Sequence, residues 1–133
     1  MNPKVKKIRQ SLAVVIVLAA VAGFASCEKV GLLPIPFNKD TTWSFKDDIQ
    51  PIFSGSTCTE CHNGRKSPDL RDGKSYAALT GTVKYVNAPE AAESSRLYLK
   101  MESTSGSVNH KERTTENERL TVLYWIKQGA KNN

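Results

Sequence analysis

The stretch that says most about the fold is residues 115–129, which read TENERLTVLYWIKQG. Its first four residues form a capping box, in which Thr115 accepts a hydrogen bond from the start of the helix and Glu118 reaches back to the threonine backbone. The residues that follow are mostly apolar and supply a wide packing face, and Gly129 suits the left-handed position that ends many helices. The stretch therefore predicts a helix that packs on a core.

Three earlier segments also have the pattern of helices. Residues 43–53 carry apolar side chains at helical spacing, with Asp47 or Asp48 as a candidate cap. Shorter helices are predicted over residues 75–79 and 95–101, the latter with a serine cap, and the segment between these two is expected to be loop. Since no stretch alternates apolar and polar side chains as strands do, the sequence predicts an all-α fold.

The first 26 residues differ in character from the rest of the chain. Four basic residues lie within the first nine, and residues 11–26 then carry no charge and end in the small pair Ala25-Ser26. This pattern predicts a secretory signal peptide over residues 1–26. The uncharged run is shorter than the roughly 20 residues of a membrane span, although an uncleaved anchor helix is the alternative.

Residues 24–27, Phe-Ala-Ser-Cys, resemble the lipobox of bacterial lipoproteins. In that family the cysteine becomes the lipidated first residue of the mature protein, so the resemblance implies acylation of Cys27. The alternative is an ordinary buried cysteine. Acyl chains would hold an exported domain on the periplasmic or cell-surface side of a membrane, with the outer membrane as the expected site. Residues 27–42, with their prolines and glycine, then form an anchor and flexible tether, which leaves 43–133 as one domain.

The charge distribution argues against a nucleic-acid partner. The formal net charge of the chain is +6, but four of its 19 basic residues lie in the first 26 positions, where no acidic residue occurs. No stripe of Lys and Arg with interleaved aromatic residues follows in the remaining chain.

Residues 58–62 read Cys-Thr-Glu-Cys-His, which is the attachment pattern of c-type haem. Two cysteines three positions apart lie on one side of a helical turn, where both thiols can reach the vinyl groups along one haem edge. The adjacent histidine can then donate a nitrogen to the iron. The pattern predicts one covalent haem c on Cys58 and Cys61, with His62 as an iron ligand.

Three other interpretations of the cysteines compete with haem. A zinc site would use Cys58, Cys61, His62 and His110, but two of these ligands are sequence neighbours, whereas structural zinc sites space theirs in separated pairs. A thioredoxin-like dithiol would need a surrounding βαβ pattern, which is missing from the sequence. A structural disulfide between Cys58 and Cys61 is the third interpretation.

Around this motif the chain resembles small monohaem c-type cytochromes of the planctomycete type. The matching residues, in order, are Phe45-x-x-Asp48-Ile49-x-Pro51-Ile52-Phe53, Cys58-x-x-Cys61-His62, Pro68-Asp69-Leu70-Arg71, Ser95-Arg96-Leu97-Tyr98 and Trp125-Ile126-x-x-Gly129-Ala130. The resemblance covers about residues 43–130. It implies a cytochrome c-like domain whose first and last helices pack beside the haem, and one-electron transfer with redox partners in the envelope or membrane.

The second axial ligand of the iron has two candidates. Members of the family often carry a methionine in the loop before the last helix, where this chain has Val108. His110 lies in the same loop and is the favoured distal ligand of the iron. Met101 is the other candidate, although a methionine there is more often core filling, and an open face is the third possibility.

The remaining haem contacts are predicted from residue type. An apolar wall is expected from Ile49, Phe53, Leu70, Trp125 and Ile126, and cations for the propionates from Arg65, Lys66 and Arg71. No serine–histidine pair, carboxylate pair or phosphate loop suggests an enzyme, so no catalytic residue is predicted. Electron transfer is the expected function. The alternatives are a haem-based ligand sensor or peroxidase with an open sixth position, and a non-haem assembly lipoprotein.

Overall fold

The computed structural model of the chain describes residues 36–133. The predicted signal peptide (1–26), the lipidation site Cys27 and residues 28–35 of the tether lie outside the described residues. Within residues 36–133, no helix is both long and apolar enough to span a membrane.

The described residues form short helices joined by turns, and no β-strand occurs among them, which confirms the all-α class for this part of the chain. The α-helices are α1 (Gln50–Gly55), α2 (Cys58–Cys61), α3 (Ser75–Thr80), α4 (Arg96–Met101) and α5 (Glu116–Lys127). A π-helical turn, Phe45–Ile49, runs directly into α1. Two 3-10 helices, Pro89–Ser94 and Lys111–Arg113, precede α4 and α5 respectively, and the first of them replaces part of the predicted loop.

Ser44 is the N-cap of the first helical segment, in place of either aspartate proposed for that role. Ser44 has an extended backbone, and its Oγ accepts a hydrogen bond from the backbone N–H of Asp47. Asp48 already lies inside the helical turn and returns the interaction, because its Oδ2 accepts from the Ser44 N–H at 2.8 Å. An N-cap residue lies just outside the helix with a non-helical backbone, a condition that Ser44 meets and that the two aspartates within the turn do not.

The last helix follows its sequence pattern closely. Thr115 Oγ1 accepts from the Glu118 N–H at 3.2 Å, and Glu118 Oε2 accepts from the Thr115 N–H at 2.7 Å, so the predicted capping box is present. Gly129 ends the helix with a φ of +95°, a conformation that residues with a side chain rarely adopt.

The serine cap predicted for α4 is present in position only. Ser95 occupies the N-cap position, but its hydroxyl accepts from the Asn87 N–H and does not cap the helix.

The core lies between α5 and the first helical segment. Ile49, Phe53, Val122, Trp125 and Ile126 are almost completely inaccessible to solvent. The rings of Phe45 and Trp125 have centroids 5.2 Å apart, and the Trp125 indole N–H donates to the carbonyl oxygen of Lys131 at 2.9 Å. The N-terminal and C-terminal helical segments of the domain are therefore in direct contact.

Part of the predicted tether packs on this core. The ring of Phe37 lies 5.4 Å from that of Trp43 and 5.2 Å from that of Tyr124 on α5. The side-chain amide of Gln128 donates to the carbonyl oxygen of Thr41 and accepts from the Trp43 N–H. The packed domain therefore extends six residues further towards the N-terminus than the boundary predicted at residue 43.

Candidate functional site

A cavity of about 370 Å³ lies beside the core, between α2, α4 and the loop that precedes α5. This volume is within the range of pockets that hold cofactors and other small molecules. Cys58, Cys61 and His62 line it from α2 and its C-terminal end, Met101 lines it from α4, and His110 lines it from the loop. The three residues of the predicted haem motif and both candidates for the second iron ligand therefore line one cavity.

The two cysteines are held by a single helical turn. The backbone N–H of His62 donates to the Cys58 carbonyl oxygen at 2.9 Å, which closes the turn and keeps the three side chains together. Cys58 is half-buried and Cys61 exposed, and both thiols are free, so the structure contains no disulfide between them. Burial raises the pKa of the Cys58 thiol above its usual value, which keeps the sulfur protonated at neutral pH.

This helical turn begins at a strained residue. Thr57 has φ +59° and ψ +15°, a left-handed conformation that costs a residue with a side chain roughly 1–2 kcal/mol. Its hydroxyl accepts a hydrogen bond from Nη1 of Arg113 at 2.6 Å, which offsets part of the cost. Such strain concentrates at functional sites, where it directs the chain that follows it. Here that chain is the turn with both cysteines.

His62 is already oriented as a metal ligand would be. Its Nδ1 lies 3.0 Å from the carbonyl oxygen of Pro68, and because a carbonyl only accepts hydrogen bonds, Nδ1 must carry the proton. In the neutral imidazole this places the free lone pair on the other ring nitrogen, Nε2. A second hydrogen bond, from the Leu70 N–H to the His62 carbonyl oxygen at 2.8 Å, holds the intervening residues in a closed loop. Metal-binding histidines are typically fixed in this way.

His110 presents an unpaired polar atom. It is half-buried, and its Nδ1 is inaccessible to solvent and has no hydrogen-bond partner within residues 36–133. Burial lowers the pKa of His110, and the neighbouring His62 and Lys100 lower it further. A neutral imidazole is the form that binds a metal ion, so this residue fits the role of an iron ligand. Met101 also lines the cavity but is buried in the apolar core.

Among the described residues, the charged side chains that line the cavity are all cationic, and one of them, Arg113, is paired with Glu60 outside the lining at 3.6 Å. No aspartate or glutamate within residues 36–133 lines it. The cations are Lys66, Arg96, Lys100 and Arg113. Of the three cations predicted as propionate partners, only Lys66 lines the cavity. Arg65 is exposed elsewhere, and Arg71 forms an ion pair of 2.6 Å with Asp69 at the surface.

Sequence reasoning missed the two cations on α4, although a signal for them exists. Arg96 and Lys100 are four residues apart, so they share one face of a helix with Leu97 and Met101, which also line the cavity. The guanidinium of Arg96 stacks 4.8 Å from the centroid of the Tyr85 ring, and the Tyr85 hydroxyl is 3.0 Å from that of Ser67. These contacts join three side chains that line the cavity.

The apolar wall differs in part from the prediction. Phe53 and Leu70 line the cavity, whereas Ile49, Trp125 and Ile126 are buried in the core and do not reach it. Helical spacing identifies which side chains are buried, but it does not indicate which of them border a cavity. Leu97, on α4, supplies a further apolar part of the lining.

The chain matches no known family model, no curated protein and no solved structure. Within residues 36–133, no group of three or more His, Cys, Asp or Glu side chains is arranged to hold a bare metal ion.

Proposed function

We propose that this chain is an electron-transfer protein that carries one covalent haem c. Cys58 and Cys61 would form the two thioether bonds, and His62 and His110 would be the axial iron ligands. The observation that supports this most strongly is that all four side chains line one cavity. The haem would supply one-electron oxidation and reduction, and the side chains of the chain would bind it, orient it and tune its potential.

His62 is the best prepared of the proposed ligands. The hydrogen bond from its Nδ1 to the Pro68 carbonyl oxygen fixes the tautomer and makes the free nitrogen a stronger donor to iron. A more basic ligand stabilises the ferric state, and a second histidine does so as well. The pair would therefore give a lower reduction potential than a His62–Met101 pair.

The lining also suits the mixed character of a haem. Phe53, Leu70 and Leu97 provide apolar contacts for the macrocycle. Arg96 and Lys100 are exposed cations on the same helix face, and carboxylates are the groups that such a pair binds best. We infer that they bind the propionates. Positive charge near the iron and apolar walls both disfavour the ferric state, and would partly offset the effect of two histidines.

The finer features of the fold and location belong to the same proposal. The contact between Phe45 and Trp125 is compatible with a cytochrome c-like domain in which the first and last helices pack beside the haem. We infer that the signal peptide and acylated Cys27 place the domain on the periplasmic or cell-surface side of a membrane. There it would exchange electrons with redox proteins of the envelope or membrane.

Haem attachment is tested by producing the full chain in a bacterial host that exports and matures c-type cytochromes. The mature protein should stain for haem on a denaturing gel and exceed its polypeptide and acyl mass by one haem. Cys58→Ser with Cys61→Ser should lose the stain, whereas Cys27→Ser should keep the stain and lose the acyl group. A mature wild-type protein with no added haem mass would refute the proposal.

Electron transfer is tested on the haem-bearing protein. We expect a reversible one-electron redox titration and rapid reduction by membranes of the source cell. Failure of every membrane donor to reduce the protein would contradict the carrier role. Fast binding of carbon monoxide without displacement of a ligand would instead support a sensor or peroxidase.

A further inference from the structure

The loop before α5 places His110 in the cavity without any buried side chain of its own. No residue from 103 to 113 is buried. Two hydrogen bonds of 3.1 Å, from the Lys111 N–H to the Ser103 carbonyl oxygen and from the Arg113 N–H to that of His110, close local turns. These two bonds lie within the loop. Arg113, at its end, donates to Thr57 Oγ1 at 2.6 Å beside α2, so the residues before Arg113 need other contacts to fix them against the helices.

Arg119 on α5 joins the loop to the helical framework. Its side chain is only 9% exposed, and a buried guanidinium is tolerated when its N–H groups are paired. Its Nε donates to Oε1 of Glu102 at 2.7 Å. Its Nη1 donates to the carbonyl oxygen of Thr114 at 2.5 Å and to that of Lys111 at 3.2 Å. One buried side chain therefore binds the chain on both sides of the loop.

Glu102 strengthens this link at the residue that follows His110. Its Oε2 lies 2.9 Å from Nζ of Lys111, while its Oε1 accepts from Arg119. The Lys111 ammonium, followed by the Arg119 guanidinium, holds the pKa of the Glu102 carboxyl below its usual value. The Glu102 side chain is therefore a carboxylate at neutral pH. Lys111 is held through both its side chain and its carbonyl group, one position from the proposed iron ligand.

On the basis of the proposed haem function, we propose that Arg119 and Glu102 are positioning residues for the distal ligand. Neither residue lines the cavity, so neither would contact the haem. They hold the loop in the conformation that presents His110 to the iron. Without them the loop opens more often, and a small exogenous ligand competes more successfully for the sixth position. Direct hydrogen-bond partners of a metal ligand typically change metal binding by about 10- to 100-fold, and we expect an effect in that range although Arg119 and Glu102 act through Lys111, the residue next to the ligand.

The test is the rate of carbon monoxide binding to the reduced full-length protein. Arg119→Lys keeps the charge but loses the forked donor geometry, and Glu102→Gln keeps the shape but loses the charge. We expect each to speed carbon monoxide binding by about 10- to 100-fold. The ferric spectrum should also shift towards the high-spin form, while haem staining stays unchanged. His110→Ala sets the upper limit of the rate.

Glu93→Gln is the matched control. It removes a carboxylate from an ion pair of 2.6 Å with Lys127, which lies on α5 like Arg119, and neither Glu93 nor Lys127 belongs to the loop or lines the cavity. It should bind carbon monoxide at the wild-type rate, and a rate raised as far as in Glu102→Gln would overturn a specific positioning role.

The remaining outcomes separate this inference from the proposed function. If Arg119→Lys and Glu102→Gln match the wild type while His110→Ala binds fast, the positioning role is wrong and the distal ligand stands. If His110→Ala also matches the wild type, both are wrong, although haem attachment is unaffected. Should Arg119→Lys fail to fold, Glu102→Gln decides, since its side chain is 30% exposed and the substitution is well tolerated at such sites.

Discussion

Replacing Thr57 by asparagine should stabilise the protein, because this residue has a left-handed backbone just before Cys58. A left-handed conformation costs a residue with a side chain roughly 1–2 kcal/mol, and asparagine adopts it more readily than most. The hydroxyl of Thr57 accepts a hydrogen bond of 2.6 Å from Arg113, and the asparagine carbonyl oxygen can replace this acceptor. Even if that exposed bond is lost, the cost is about 0.5–1 kcal/mol.

The net expectation for Thr57→Asn is a gain of about 0.5–1 kcal/mol in the free energy of unfolding. For a domain of this size, 1 kcal/mol raises Tm by about 4–8 °C. The assay is urea and thermal unfolding of the haem-bearing protein, followed by far-UV circular dichroism. Thr57→Ala should be less stable than Thr57→Asn, because alanine lacks the acceptor and tolerates the left-handed region poorly.

Thr59→Asn provides the matched control, since it makes the same chemical change two residues away in right-handed helix α2. Threonine and asparagine have similar helix propensities, so its stability should stay within about 0.5 kcal/mol of the wild type. A Thr57→Asn protein no more stable than the wild type, beside a neutral control, would refute the strain argument. It would mean that the backbone at position 57 relaxes without cost.

Three further predictions concern the cavity and its supporting charges. His110→Ala should turn a low-spin ferric spectrum into a high-spin one, and an unchanged spectrum would point to Met101 as the distal ligand. Arg96→Gln should lower the reduction potential measured by voltammetry, because it removes a positive charge from the cavity lining and so makes the ferric state less costly. Arg71→Gln should leave the potential nearly unchanged, because Arg71 is paired with Asp69 at the surface and does not line the cavity. Folding lowers the pKa of Glu102, so the Glu102 carboxylate stabilises the fold above its ordinary pKa, and this stabilisation declines as the pH falls below that value. The free energy of unfolding of Glu102→Gln, measured from pH 6 to pH 3, should therefore fall less with decreasing pH than that of the wild type.

The helices were predictable where local chemistry decides them. The capping box at Thr115 and the glycine at 129 involve neighbours in the sequence, and both function as expected. The cap of the first segment was assigned wrongly because an aspartate inside the first turn and a serine before it satisfy the same pattern. Only the backbone angles, extended at Ser44 and helical afterwards, distinguish the two.

The sequence predicted which residues would lie together but not what surrounds them. Cys58, Cys61 and His62 are neighbours in one motif, and the chain has only one other histidine, so a shared site with His110 was expected; all four line one cavity. Contacts between distant segments leave no local signal. The bond from Arg113 to Thr57 and the network around Arg119 each join residues that become neighbours only through folding.

The helices themselves explain why such a domain would benefit from a haem. Apart from α5, the α-helices have four to six residues, whereas isolated helices shorter than about 12–15 residues are marginal in water. The proposed iron ligands are roughly 50 residues apart, and closing a loop of that length removes unfolded-state entropy worth about 4 kcal/mol in the chain-entropy model. Small domains have a total stability of only about 5–15 kcal/mol. An iron bound by both His62 and His110 would therefore supply a large share of that stability, so the residues that position His110 would support the fold of this loop as well as the redox chemistry.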